Sequence, residues 1–107
     1  MLEKYTYRLE WSEENQAYLA RCLEFPSLAA HGGTEEKALS EIKEVVNEAV
    51  KWLKEEGEAV PQPICVKKFK GNLTLRITPD LHKELAIQSA EEGVSINKFI
   101  LSKLVTT

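Results

Sequence analysis

Polar and apolar residues alternate at the start of the chain, where Tyr5, Tyr7, Leu9 and Trp11 interleave with Lys4, Thr6, Arg8 and Glu10. A period of two sends successive side chains to opposite faces of an extended backbone, so the pattern predicts a strand with one buried face. Ser12-Glu13-Glu14-Asn15 reads as a polar turn, and residues 16–22 return as a second strand. Proline has no ladder N–H, so Phe25-Pro26-Ser27 is expected to break the pairing, leaving residues 28–31 as a short third strand before Gly32-Gly33.

The period then changes. Thr34 is placed as an N-cap with Glu35 and Glu36 in the first turn, and Ala38, Leu39, Ile42, Val45, Val46, Ala49, Val50 and Leu53 follow at helical spacing. Gly57 is positioned to end this helix, and Glu41, Lys43, Glu44, Glu48, Lys51, Lys54 and Glu55 form its solvated side. Pro61 and Pro63 bracket an extended connection, after which Ile64-Cys65-Val66 is predicted to return to the sheet as a fourth strand. The predicted order is β-β-β-α-β, one helix on a small sheet, which is an α+β arrangement.

A second pattern begins after Lys67-Lys68-Phe69-Lys70 and Gly71. Leu73, Leu75 and Ile77 alternate with Asn72, Thr74 and Arg76, predicting a strand over 72–77. Thr78-Pro79 opens a helix through Leu81, Leu85, Ala86 and Ala90 to Gly93; Ser95 caps another carrying Ile96, Phe99, Ile100 and Leu104. The domains are therefore drawn at 1–68 and 69–107. The rear one is too small to be stable alone, and a lone strand leaves backbone groups unpaired. A second copy, pairing strand with strand about a two-fold axis, answers both needs, and Leu101 and Val105 give the last helix a second apolar side.

Charge sharpens this division. The 107 residues carry a formal net charge of -3, but residues 1–62 hold 7 bases against 13 acids, net -6, and residues 63–107 hold 7 bases against 4 acids, net +3. An acidic surface repels nucleic acid and a basic one attracts it, so the two halves suit different partners. No apolar run approaches the roughly 20 residues of a spanning helix, and no hydrophobic segment follows Met1-Leu2-Glu3-Lys4, so neither membrane insertion nor secretion is expected. Cys22 and Cys65 match no redox or zinc-ligand spacing and read as buried thiols in a reducing cytoplasm.

Catalytic chemistry finds little support. A metal-dependent nuclease needs converging carboxylates, whereas only glutamates precede Asp80, scattered on turns and on the outer side of the helix. His31 and His82 belong to no nucleophile or ligand motif, and Trp11 and Trp52 fall at spacings expected of core and rim. No enzyme activity, metal or cofactor is expected. Asn72, Thr74 and Arg76, taken alone, read as the wet face of a strand. Presented twice on a symmetric ribbon, they fit the major groove, about 12 Å wide, where arginine reads guanine and asparagine reads adenine. The helix start at Ser95 would offer N–H groups to flanking phosphates.

Gly71-Asn72-Leu73-Thr74-Leu75-Arg76-Ile77-Thr78-Pro79-Asp80-Leu81-His82, with Glu91-Glu92-Gly93-Val94-Ser95-Ile96-Asn97-Lys98, resembles the ribbon-helix-helix end of the HicB family of antitoxins. Glu24-Phe25-Pro26-Ser27 and Gly32-Gly33-Thr34-Glu35-Glu36-Lys37-Ala38 resemble that family's N-terminal domain, a partial ribonuclease-H-like fold. The resemblance implies a cytoplasmic type II antitoxin whose front domain blocks a small basic HicA-like ribonuclease and whose rear dimer binds its own operator DNA as a repressor. It assigns DNA contact to Asn72, Thr74, Arg76, Ser95, Asn97 and Lys98, and toxin contact to Phe25 and Pro26. Dimer and tetramer both stay open. So do an orphan regulator of this type, with or without a small-molecule ligand, and a protein–protein inhibitor with no role at DNA.

Overall fold

The structure is a computed structural model and describes residues 2–105; it divides into two compact units, Met1–Phe69 and Lys70–Thr107. The first unit contains strands β1 (Tyr7–Ser12), β2 (Ala17–Cys22) and β3 (Phe25–Gly32), helix α1 (Glu35–Glu55), and two 3-10 turns at Leu2–Lys4 and Ile64–Val66. The strands form an antiparallel sheet in the order β1-β2-β3, with Leu9 opposite Ala20 and Ala20 opposite Ala30. The α+β class expected from the sequence is the one observed.

Helix α1 begins where the cap chemistry puts it, with the Lys37 N–H donating to Thr34 Oγ1 at 3.1 Å. Its buried residues, Ala38, Ile42, Val46 and Val50, recur every fourth position and form one stripe. That stripe packs on Tyr5, Ala20, Cys22 and Phe25, with Tyr7, Leu9, Tyr18, Leu28 and Ala30 half-buried around them. Gly32 admits the helix closely: a Cβ there would lie 2.7 Å from the Ala38 Cα, inside any real contact distance.

Three expectations for this unit are corrected. Pro26 does not interrupt the third strand, which starts at Phe25. Cys22 pairs with Phe25 while Arg21 pairs with Ala29, so Pro26, Ser27 and Leu28 bulge from β3, the last strand of the sheet, where a missing N–H deprives no ladder. Residues 64–66 form a 3-10 turn in place of a fourth strand. Their donors are already engaged, because Ile64 N–H donates to Glu24 Oε2 at 2.9 Å and the Val66 and Lys67 N–H groups turn back to Pro63 O. Cys65 is consequently exposed, its thiol 3.1 Å from the Lys4 carbonyl oxygen, while Cys22 is buried as expected.

The second unit contains α2 (Pro79–Glu92) and α3 (Ile96–Val105). Leu81 N–H donates to Thr78 Oγ1, Pro79 occupies the first turn, and Gly93 ends the helix at φ 70°, in the left-handed region glycine enters without penalty. Phe99 is 3% exposed and anchors the helix pair. The strand expected at 72–77 is absent as a ladder. Alternation supplies one strand of a pair, but the described residues of this unit contain no second.

Candidate nucleic-acid and protein interfaces

The segment before α2 explains what that absence leaves behind. Leu73 is 87% exposed, with Leu75 and Ile77 also open, and these three line an apolar groove of about 580 Å³ with Leu85, Ile100 and Leu104. On the α3 side, Leu101 and Val105 are exposed as well. Among the described residues fourteen large apolar side chains are exposed, and eight of them fall between residues 73 and 105, where the described buried residues are Ser89 and Phe99. Exposed apolar surface of this density marks an interaction face rather than ordinary surface.

The interleaved polar residues Asn72, Thr74 and Arg76 are all exposed. At the α3 start, Ser95 Oγ accepts from Lys98 N–H at 3.1 Å and Ser95 O accepts from Phe99 N–H at 2.9 Å. Ser95 is thus fully occupied as a cap, while the N–H groups of Ile96 and Asn97 lie at a helix position with no intrahelical acceptor. Asn97 and Lys98 are exposed beside them, and Asn97 also borders the groove.

In the first unit the two residues of the expected protein contact separate in role. Phe25 is 8% exposed and packs edge-to-face on Tyr5, ring centroids 5.4 Å apart, so it belongs to the core; Pro26 beside it is exposed on the bulge. Sequence reasoning missed the residue that organises this corner. Glu24 Oε1 accepts from Thr6 N–H at 2.9 Å and from the Cys22 thiol at 3.5 Å; Oε2 accepts from Thr6 Oγ1 at 3.2 Å and Ile64 N–H at 2.9 Å. Burial pushes its carboxyl up, but the N–H donors of Ile64 and Thr6 outweigh that and hold it below the ordinary carboxylate value. Nothing in the sequence marks this role except that an acid stands in the tight connection between two strands.

Neighbouring groups feel the same environment. Burial, followed by the nearby Cys22 and Glu24, raises the phenol of Tyr7 to about 12, and burial raises the Cys22 thiol. Tyr7 donates to Leu2 O at 2.9 Å and Tyr5 to Pro61 O at 2.7 Å, tying the chain on either side of the sheet to it. Far from this corner Trp11, 46% exposed, stacks edge-on against Tyr18, so it is rim rather than core. Trp52 is also exposed. His31 lies in β3 near Asn15, and His82 is exposed in the first turn of α2, both as expected.

Tyr18, Gly33, Thr34, Glu35 and Glu36 border an open hollow at the start of α1. With the exposed Glu41, Glu44 and Glu48, its two carboxylates give this unit an acidic outer surface. Among the described residues, no three His, Cys, Asp or Glu side chains converge as a metal site would require, and no helix is long and apolar enough to cross a membrane. The model of the HicB family matches residues 55–104, from the end of α1 into α3, leaving Glu24 to Ala38 outside the match. No curated protein and no solved structure matches the chain.

Proposed function

We propose that this chain, whose residues 55–104 match the HicB family, is the antitoxin of a type II toxin–antitoxin pair, neutralising a small basic HicA-like ribonuclease through residues 1–68 and repressing its own operon through residues 69–107. The family match points to a role connected with toxin–antitoxin systems. The observation that carries the finer reading is the groove beneath Leu73, Leu75 and Ile77. A second copy laid antiparallel along 72–77 supplies the missing ladder and covers the groove in one step. Such a homodimer aligns two sets of Asn72, Thr74 and Arg76 on the face away from the apolar side chains, where they read base edges in the major groove. Ile96 and Asn97 N–H groups, with Lys98, then meet flanking phosphates, the interaction a helix N-terminus favours.

For the toxin, the acidic front surface supplies charge complementarity to a basic partner. Pro26 forms the contact, held in place by Phe25 in the core and Glu24 across the turn. The protein acts by covering the ribonuclease, with no catalysis or cofactor of its own. The test is an RNA-cleavage assay in which the full chain is titrated into the small basic ribonuclease encoded beside it. Stoichiometric loss of cleavage is expected, and Pro26→Lys should weaken inhibition at least tenfold through charge repulsion and lost shape. Unimpeded cleavage at excess antitoxin would remove the inhibitor role.

A further inference from the structure

The net +3 of the rear half has an uneven source. Residues 71–107 contain four bases, Arg76, Lys83, Lys98 and Lys103, and four acids, Asp80, Glu84, Glu91 and Glu92, and are therefore neutral. All of the surplus positive charge lies in Lys67, Lys68 and Lys70. A neutral ribbon unit joined to a front region of net -6 has no long-range attraction for a polyanion, and the phosphate backbone supplies most non-specific protein–DNA affinity. The three lysines are exposed. Lys67 Nζ lies 5.8 Å from the centre of the Phe69 ring, itself 70% exposed.

We propose that residues 67–70 are a phosphate-binding arm for duplex DNA, and that this arm, more than the ribbon or the helices, provides the electrostatic part of binding. The inference rests on the DNA-binding reading above. Covalent reach favours it: Lys70 is two residues from Asn72 and Lys67 is five, so each lies within about 18 Å of the ribbon at full extension. In an antiparallel ribbon the two arms leave from opposite ends, roughly 20 Å apart for six paired residues. Two copies thus bring six lysines within covalent reach of the base-reading residues, and Gly71 at φ 82° gives the chain a turn that a side-chain-bearing residue resists.

The experiment measures affinity against salt for the full chain and for the triple variant Lys67→Ala, Lys68→Ala, Lys70→Ala. It uses two duplexes, the sequence immediately upstream of the chain's own coding region and a scrambled version. Each neutralised phosphate steepens the log–log salt slope by about 0.9, so six arm lysines contribute about 5, a loss of about a thousandfold over a fourfold rise in salt. The triple variant should lose most of that slope, with similar weakening on both duplexes and an unchanged melting temperature; a triple Lys→Arg variant should keep the slope. If the wild type binds with a steep slope and the triple alanine variant matches it, the arm is refuted while DNA binding stands. The arm is refuted too if the loss is confined to the upstream duplex. If the wild type binds neither duplex, the DNA reading itself fails and takes the arm with it.

Discussion

Glu24→Ala removes four contacts at once, and two of them join backbone donors that sit 18 and 40 residues away in the chain. Hydrogen bonds to a charged acceptor contribute about 1.5–3 kcal/mol each. Glu24 is only half-buried, so water replaces part of the loss. Taking the lower figure for the Thr6 and Ile64 N–H bonds, and nothing for the longer hydroxyl and thiol contacts, gives about 3 kcal/mol. For a domain of this size that lowers the melting temperature by about 12–24 °C. Glu24→Gln, which keeps one oxygen facing the same donors, should lose roughly half as much.

The carboxylate also sets a pH dependence. Its folded-state value lies below the ordinary carboxylate value, so its contribution is present above that ordinary value and is lost as pH falls through the depressed one. Thermal melts of wild type and both variants, at neutral pH and in acid, check both statements, and amide exchange at Ile64 should quicken in Glu24→Ala. A Glu24→Ala protein that melts within about 0.5 kcal/mol of wild type, the range of an ordinary surface change, with Ile64 still protected, refutes the clamp.

Gly32→Ala should destabilise by about 1–3 kcal/mol in denaturant titration, since the new methyl meets the backbone of Ala38 and strand and helix must part. Leu75→Lys places a charge in the apolar groove; on the proposed pairing the wild type should run as a dimer by light scattering and the variant as a monomer, while α2 and α3 persist by circular dichroism. Alkaline titration should show the first unit losing stability as pH rises from 10.0 towards about 12, because the raised Tyr7 phenol is neutral when folded and ionises earlier when unfolded; Tyr7→Phe should blunt that loss. Arg76→Ala should weaken binding to the upstream duplex by about 1–3 kcal/mol and leave scrambled-duplex binding nearly unchanged by anisotropy.

What was legible in the sequence followed local rules. The α1 stripe is periodic over its whole length, and the caps at Thr34, Thr78 and Ser95 need only a hydroxyl three residues before its N–H donor. What was hidden depends on distant parts of the chain. Residues 64–66 have strand-like composition but surrender a donor to Glu24, and no local pattern links positions 24 and 64. Pro26 reads as a strand breaker unless its strand is known to lie last in the sheet, a property of topology. Cys65 resembles a core residue by type and is exposed because its segment turns instead of pairing. At 72–77 the alternation predicts a strand, but the structure shows none there, because a ladder needs a partner strand and the described residues of the unit contain none. The six positions expected to contact DNA are all exposed, in segment 72–77 and at the α3 start, whereas Phe25 and Pro26, adjacent in sequence, divide between core and surface.

The central claim is that two copies of a small unit, each with an unfinished strand and an uncovered groove, assemble into a reader of one DNA sequence. An anisotropy titration of the full chain, at physiological salt, on the duplex upstream of its own coding region and on a scrambled duplex tests it most directly. The account predicts saturation at two chains or a multiple of two per site, and at least about a thousandfold preference for the upstream duplex. Equal affinity for the two duplexes, or saturation by single chains, would contradict it.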